Sequence, residues 1–222
     1  MNFFFYLIIL IFFFNLSSYS KEVKILDIDK YKINNEKNYL IDFKSFASKD
    51  NINVVIEIPM DTNEKWEVSK INGSLEHDFY MGKPRLIEFS PYPVNYGMIP
   101  RTVVPLRYGG DGDPLDVIVL GKKIPRGTVL SAKVIGEMQM SDMGETDNKI
   151  IAVYNGDKFY KYNDIFELNT NYPKVLKEIK FWFLNYKKEN LVEFHRYRSK
   201  EDALKSIILA SKYFEKYGIK AR

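Results

Sequence analysis

The sequence predicts an α+β fold that is mainly β, a small barrel or twisted sheet followed by two helices. Short β-branched runs, at residues 53–59, 117–120, 129–140 and 150–153, read as strands bounded by turn residues. The apolar period lengthens to that of a helix only in roughly the last fifty residues. No internal repeat and no second domain boundary stands out after Asn53.

Composition narrows the chemistry. The chain has 222 residues, 45% of them apolar, with 16 Tyr and 16 Phe, enough for one domain with a sizeable core. Its 33 basic and 29 acidic residues give a formal charge of +4, which is no signature of nucleic-acid binding by itself. Without cysteine there is no disulfide framework, thiolate metal site or cysteine nucleophile. Two histidines are too few for most zinc sites. A metal here is held mainly by oxygen, which favours Mg²⁺, Mn²⁺ or Ca²⁺.

In chain order, residues 1–20 come first. Phe3–Phe14 is an unbroken apolar run of signal-peptide length, too short to span a bilayer comfortably. Ser18-Tyr19-Ser20 offers a cleavage site before Lys21, although the run lacks a preceding Lys or Arg. The expectation is a signal peptide or N-terminal anchor. A signal would export the protein to a periplasmic or extracellular location, with no stable membrane association after cleavage; otherwise it stays in the cytoplasm. Residues 21–38 read as a linker that merges into a domain covering 39–222.

Asn53–Pro59 is a strand in which Glu57 either faces outward or points into a polar cavity. Lys65–Val68 alternates, with Lys65 and Glu67 on one face and Trp66 and Val68 on the other. A surface salt-bridge face accounts for it as well as a site does. Arg85 is a candidate anion clamp, and the hydroxyls of Tyr92 and Tyr96 could serve the same anion or simply pack.

Gly109–Asp116, GGDGDPLD, is the most informative stretch. It crowds Asp111, Asp113 and Asp116 into six residues, unfavourable unless positive charge sits among them. Pro114 biases Asp113 toward extended backbone, which puts Asp111 and Asp113 on one face. Asp116 then opens the strand Val117–Leu120. A solvated acidic turn is the plain alternative. An EF-hand loop fails on spacing, since Asp116 stands where glycine is needed and Lys122 where glutamate is.

The loop after Met140 again spaces acids, Asp142 and Asp147, beside Lys149, as a charged hairpin loop would. A first helix is predicted from Pro173, with Val175, Leu176, Ile179, Phe183 and Tyr186 in phase and Lys187 near the edge of that face. A second is predicted from Ser199, with Ala203, Ile207, Ala210 and Phe214 inward and Gly218 as its stop.

Together these pieces offer carboxylates for several Mg²⁺ beside a ring of cations, as phosphoryl transfer to water requires. VVIEIP at Val54–Pro59, KWEV at Lys65–Val68, GKPR at Gly82–Arg85, YPVNYG at Tyr92–Gly97, DGDPLDV at Asp111–Val117, the Asp142…Asp147…Lys149 loop and Tyr186-Lys187 occur in one order. In that order the chain resembles the soluble family I inorganic pyrophosphatases over roughly Tyr39 to Tyr217.

The resemblance implies a five-stranded OB-like barrel flanked by helices, and Mg²⁺-dependent hydrolysis of pyrophosphate, with Mn²⁺ a possible substitute. It implies that Asp111, Asp116 and Asp147 hold a first metal and that Asp116 bridges to a second. Asp113 would take the proton of the attacking water, and Glu57, Glu67 and Asp142 would serve further metals. Lys65, Arg85, Tyr96, Lys149, Tyr186 and Lys187 would bind phosphate, with Tyr92 close by and Tyr96 and Lys187 also near the chemistry. Where many members carry an acid after the first loop aspartate, this chain has Met143. Phe181 and Asn185 stand in the helix where hexameric members often carry histidines, so a homo-oligomer is expected without its order. The alternative class is a non-catalytic OB-fold protein that binds phosphate or nucleic acid, disfavoured by the repulsion between so many carboxylates and a phosphate backbone. The expected partner is pyrophosphate, with no nucleic acid.

Overall fold

The computed structural model describes residues 20–21, 25–187 and 191–219; residues 1–19 of the predicted leader lie outside the described residues. In chain order the principal elements are β1 (Ile25–Ile28), β2 (Lys32–Asn35), β3 (Asn51–Ile58), β4 (Trp66–Val68), β5 (Leu75–His77), β6 (Asn95–Met98) and β7 (Asp116–Leu120). They continue as β8 (Val129–Asp142), β9 (Lys149–Tyr154), α1 (Ile165–Asn171), α2 (Pro173–Asn185), β10 (Val192–Arg198) and α3 (Lys200–Tyr217).

Five strands close on themselves in the order β8-β9-β7-β6-β3 and back to β8. All neighbours are antiparallel except β7 and β9, which run parallel. This is the five-stranded barrel expected, and closure leaves these strands without a free edge. Residues 21–38, expected to be a linker, contribute β1 and β2, which extend a second small sheet in the order β1-β2-β5-β4.

Adjacent barrel residues enter different clusters. Val117, Val119, Ile150 and Ala152 pack with Ala203, Ile207 and Ala210 of α3. Ile118, Leu120, Ile151 and Val153 pack with Leu168 of α1 and Leu176, Ile179 and Trp182 of α2. Strands buried on both faces read as continuous β-branched runs, the pattern visible in the sequence.

Both predicted long helices form. Pro173 occupies the first turn of α2. The Ser199 hydroxyl accepts from the Asp202 amide at 3.3 Å, and Gly218 closes α3. Besides β1 and β2, four elements were not predicted: the short strands β5 and β6, α1 and β10. α1 has seven residues, too few to display a period. β10 carries four polar residues in seven, because it lies on the outer edge of β8. It brings Arg198 to the fully buried Glu137, Nη1 to Oε2 at 2.9 Å.

Two backbone features shape one end of the barrel. The β3–β6 register shifts between Ile56 and Ile58, so Glu57 sits at an irregularity of the ladder. Such a shift re-aims a side chain. Gly97 lets β6 approach β3, since a Cβ there would lie 1.9 Å from the Val55 carbonyl oxygen. Gly97→Ala is expected to cost about 3 kcal/mol of stability, an overpacking effect against backbone that cannot yield. A urea midpoint equal to wild type would show that the strands separate freely.

Candidate active site

A polar pocket of about 220 Å³ opens at the end of the barrel where β7 and β9 begin. Its wall collects Glu57, Lys65, Glu67, Arg85, Tyr96, Asp111, Asp113, Asp116, Asp142, Asp147, Lys149, Tyr186 and Lys187. Every residue singled out in the sequence is therefore on it except Tyr92. That ring is buried one layer behind, 5.6 Å from Tyr96 and 4.2 Å from Trp182 between centroids, where it fills core space.

Strand register builds the centre. The parallel pairing sets Asp116 directly opposite Lys149. The Lys149 ammonium bonds Asp116 Oδ2 at 2.5 Å and also bonds Asp147. Burial alone would lower the Lys149 pKa, but the two carboxylates outweigh it and raise it well above its ordinary value. Burial likewise pushes Asp116 up, and Lys149 more than offsets this, so its pKa is lowered. Burial first, and then the Asp116 charge, hold the Tyr96 phenol well above its usual range. The Lys65 and Lys149 ammoniums lie 5.8 and 5.7 Å from the Tyr96 ring centre.

The bulge settles the orientation of Glu57, which the sequence left open. Its carboxylate is buried in the pocket wall, where Oε1 accepts from the Val68 amide at 2.8 Å. Burial lifts its pKa to about 8. Lys65 and Glu67 make the salt bridge that β4 alternation suggested, at 3.0 Å, but at the pocket and not on a bland surface. Trp66 and Val68 point into the core. Lys65 lowers the Glu67 pKa.

The acidic loop is no simple solvated turn. The Asp113 amide donates to Asp111 Oδ1 at 2.8 Å, fixing the two carboxylates relative to one another. Burial first, and then the Asp113 charge, raise Asp111 to about 6. Across the pocket Lys187 pairs with Asp142 Oδ2, while Asp142 Oδ1 is buried without a hydrogen-bond partner. Arg85 is aimed by Asp78, which accepts from Nη1 at 2.9 Å and from the Arg85 amide at 2.8 Å. Tyr186 stacks on Trp182 at 4.9 Å and 6°, and the Trp182 indole donates to the Ser90 carbonyl at 2.9 Å.

One contributor escaped the sequence reading. Lys70 lines the pocket and pairs with Asp113. Asn95, within the YPVNYG stretch, does not line the pocket but is fully buried in β6 opposite Val119: Oδ1 accepts from the amides of Met60 and Ile124, and Nδ2 donates to the carbonyls of Val119 and Lys122. A lone lysine in a turn carries no distinguishing signal in sequence.

The donor set is seven carboxylates, without nitrogen or sulfur ligands. Among the described residues no three of them converge closely enough to enclose an ion unaided; lysine ammoniums lie between them. The raised Glu57 and Asp111, and the orphaned Asp142 oxygen, mark a wall that further positive charge would stabilise. The residues fit hard divalent cations.

The barrel and its pocket define an OB-like protein with seven carboxylates, lysines and an arginine gathered at one barrel end. The family model described as inorganic pyrophosphatase matches residues 54–215. The chain is 43% identical to a soluble inorganic pyrophosphatase of Zea mays over 139 residues, 61% of this chain and 58% of that protein, so it spans less than two thirds of that relative. Among solved structures, the Schistosoma japonicum inorganic pyrophosphatase aligns with a TM-score of 0.78 at 32% identity, over 83% of this chain and 75% of that one. The Helicobacter pylori enzyme aligns at 0.67 and 31%, over 78% and 99%. The chain belongs to the inorganic pyrophosphatase family.

Glu57 yields a pH test. Its pKa rises from an ordinary 4.5 to about 8 on folding, so its contribution to stability is fully present below 4.5 and is lost as pH climbs through 8. In chelator, Glu57→Gln is expected to be more stable than wild type near pH 8, with the gap closing below pH 4.5. Parallel urea curves at every pH would contradict this. Lys149→Met removes the buried cation from two partly buried carboxylates and is expected to cost about 3 kcal/mol, the low end for a broken buried pair, in the same buffer.

Proposed function

We propose that this chain hydrolyses inorganic pyrophosphate to two orthophosphates in the presence of Mg²⁺. The observation that carries this reading is the convergence of seven carboxylates, Lys65, Lys149, Lys187 and Arg85 on one pocket. Acids alone would repel a phosphate, and cations alone would not support attack by water on one. The maize relative's description as a soluble inorganic pyrophosphatase supports the same substrate.

Asp111, Asp116 and Asp147 would hold the first metal, with Asp116 shared with a second, and Glu57, Glu67 and Asp142 would serve the rest. When bound, Mg²⁺ supplies charge neutralisation and Lewis acidity; Mn²⁺ is the natural substitute. Arg85, held by Asp78, offers its remaining guanidinium donors to phosphate oxygens. Lys65, Lys149 and Lys187 add charge from the walls, and the phenols of Tyr96 and Tyr186 stay protonated as donors because burial raises both. Asp113 is partly open to solvent, on the loop that brings Asp111 to the carboxylate cluster. It takes the proton of the attacking water, which adds directly to phosphorus without a covalent enzyme intermediate.

A polynucleotide-binding role is disfavoured by the same acids. The leader reading supports export, and among the described residues no helix is long and apolar enough to cross a membrane. Self-association finds support in Phe89 and Phe181, two exposed rings 6.2 Å apart.

Phosphate release from pyrophosphate, with ATP as control substrate, tests the reaction. Fast Mg²⁺-dependent release from pyrophosphate is expected. Asp113→Asn should fold and bind metal yet turn over about two to four decades more slowly, the scale for a lost general base. A near-normal rate would assign the base elsewhere. No release by the folded wild-type chain with Mg²⁺ bound would leave a binding protein. All activity in the cytosolic fraction of cells would refute export.

A further inference from the structure

One cation on the pocket wall has no part in the proposed hydrolysis. Lys70 follows β4, and its ammonium reaches Asp113 Oδ1 from 43 positions away in sequence. The backbone beneath it is fixed. The Ser69 amide donates to the Ser74 carbonyl and the Gly73 amide to the Ser69 carbonyl, both at 2.8 Å. Asn72 Oδ1 accepts from the Ser74 amide at 2.9 Å and its hydroxyl at 2.6 Å. The loop thus holds Lys70 over Asp113, while the four-carbon stem leaves its ammonium free to swing.

This pair differs from that of Lys149. The Lys149 side chain is 4% exposed and holds two acids, whereas Lys70 and Asp113 are 22% and 42% exposed. Water screens the outer pair and makes it breakable. Asp113 is also bound through its amide to Asp111, which lines the cluster with Asp116 and Asp147. The Lys70 charge therefore stands at the edge of the carboxylates that fit divalent metal, attracted by the same groups and repelled by any cation that joins them.

We propose that Lys70 is a resident counter-ion of Asp113, holding that carboxylate at the rim and yielding as divalent metal loads, so that this lysine raises the metal concentration needed to fill the site. It is a positioning residue, acting through Asp113. The inference rests on the reading of the pocket as a divalent-metal site; only its activity arm rests on pyrophosphate hydrolysis.

The test is Mn²⁺ binding without substrate, followed by the electron paramagnetic resonance of free Mn²⁺, for wild type, Lys70→Met and Lys70→Arg. Lys70→Met is expected to bind Mn²⁺ about 3–10-fold more tightly, the scale of one partly screened charge at close range. Lys70→Arg should stay near wild type, and the gap should narrow in high salt. With pyrophosphate, the half-activating Mg²⁺ concentration of Lys70→Met should fall by the same factor. Equal Mn²⁺ affinity in all three proteins would overturn the inference. So would a raised KM for pyrophosphate at saturating Mg²⁺ with Mn²⁺ affinity unchanged, which would make Lys70 a phosphate contact. A wild-type protein that hydrolyses nothing would defeat the proposed function and leave the Mn²⁺ comparison to decide this point. Lys70→Gln serves the same comparison if Lys70→Met fails to fold.

Discussion

Mutual repulsion among crowded, mostly half-buried carboxylates is the constraint that shapes this molecule. Seven acids share one pocket of about 220 Å³, an arrangement that folding tolerates only with positive charge threaded between them. The Lys149 ammonium, bonded to Asp116 and Asp147, supplies that charge at the deepest point. Its place follows from the parallel register of β7 and β9, which sets Lys149 against Asp116. The barrel brings distant acids together, and its strand pairing also brings the cation that lets them stay.

Around this centre the scaffold divides its tasks. Strand positions hold what must not move: Asp116, Lys149 and Tyr96 are in β7, β9 and β6, with Asn95 bonding the turns beneath. Loops carry Asp111, Asp113 and Arg85, the last position of β8 carries Asp142, and one helix end carries Tyr186 and Lys187. The helix end is tied to the barrel by aromatic packing. Trp182 contacts Tyr92 and stacks on Tyr186, so the residue that misses the pocket still supports one that lines it.

The β-branched runs and the late change of period made four of the five barrel strands and both long helices legible, because each depends on local spacing; β6, NYGM, has no such run and was not read as a strand. The acidic loop announced itself through a concentration of charge that demanded an explanation. What stayed hidden depends on pairing. The orientation of Glu57 is decided by a register shift against β6, and the alternating pattern of its own strand says nothing about that. β10 hides because an edge strand exposes half its residues, and its one deep contact, Arg198 with Glu137, joins positions 61 apart in number. Lys70 was silent for the same reason: its partner lies across the fold. β1 and β2 are four residues each, too short to display a period, and they are placed by pairing, β1 on β2 and β2 on β5.

The β7–β9 ladder carries one more implication. Side chains in a strand alternate between faces, so a slip of one residue would turn Asp116 toward the barrel wall and put Val117 across from Lys149. A buried aspartate without its lysine, and a buried lysine without its aspartates, would each oppose that arrangement. The charges at the centre of the pocket thus also act as an alignment key during assembly. A barrel closed in the wrong frame is penalised at this pair of residues before any substrate is met.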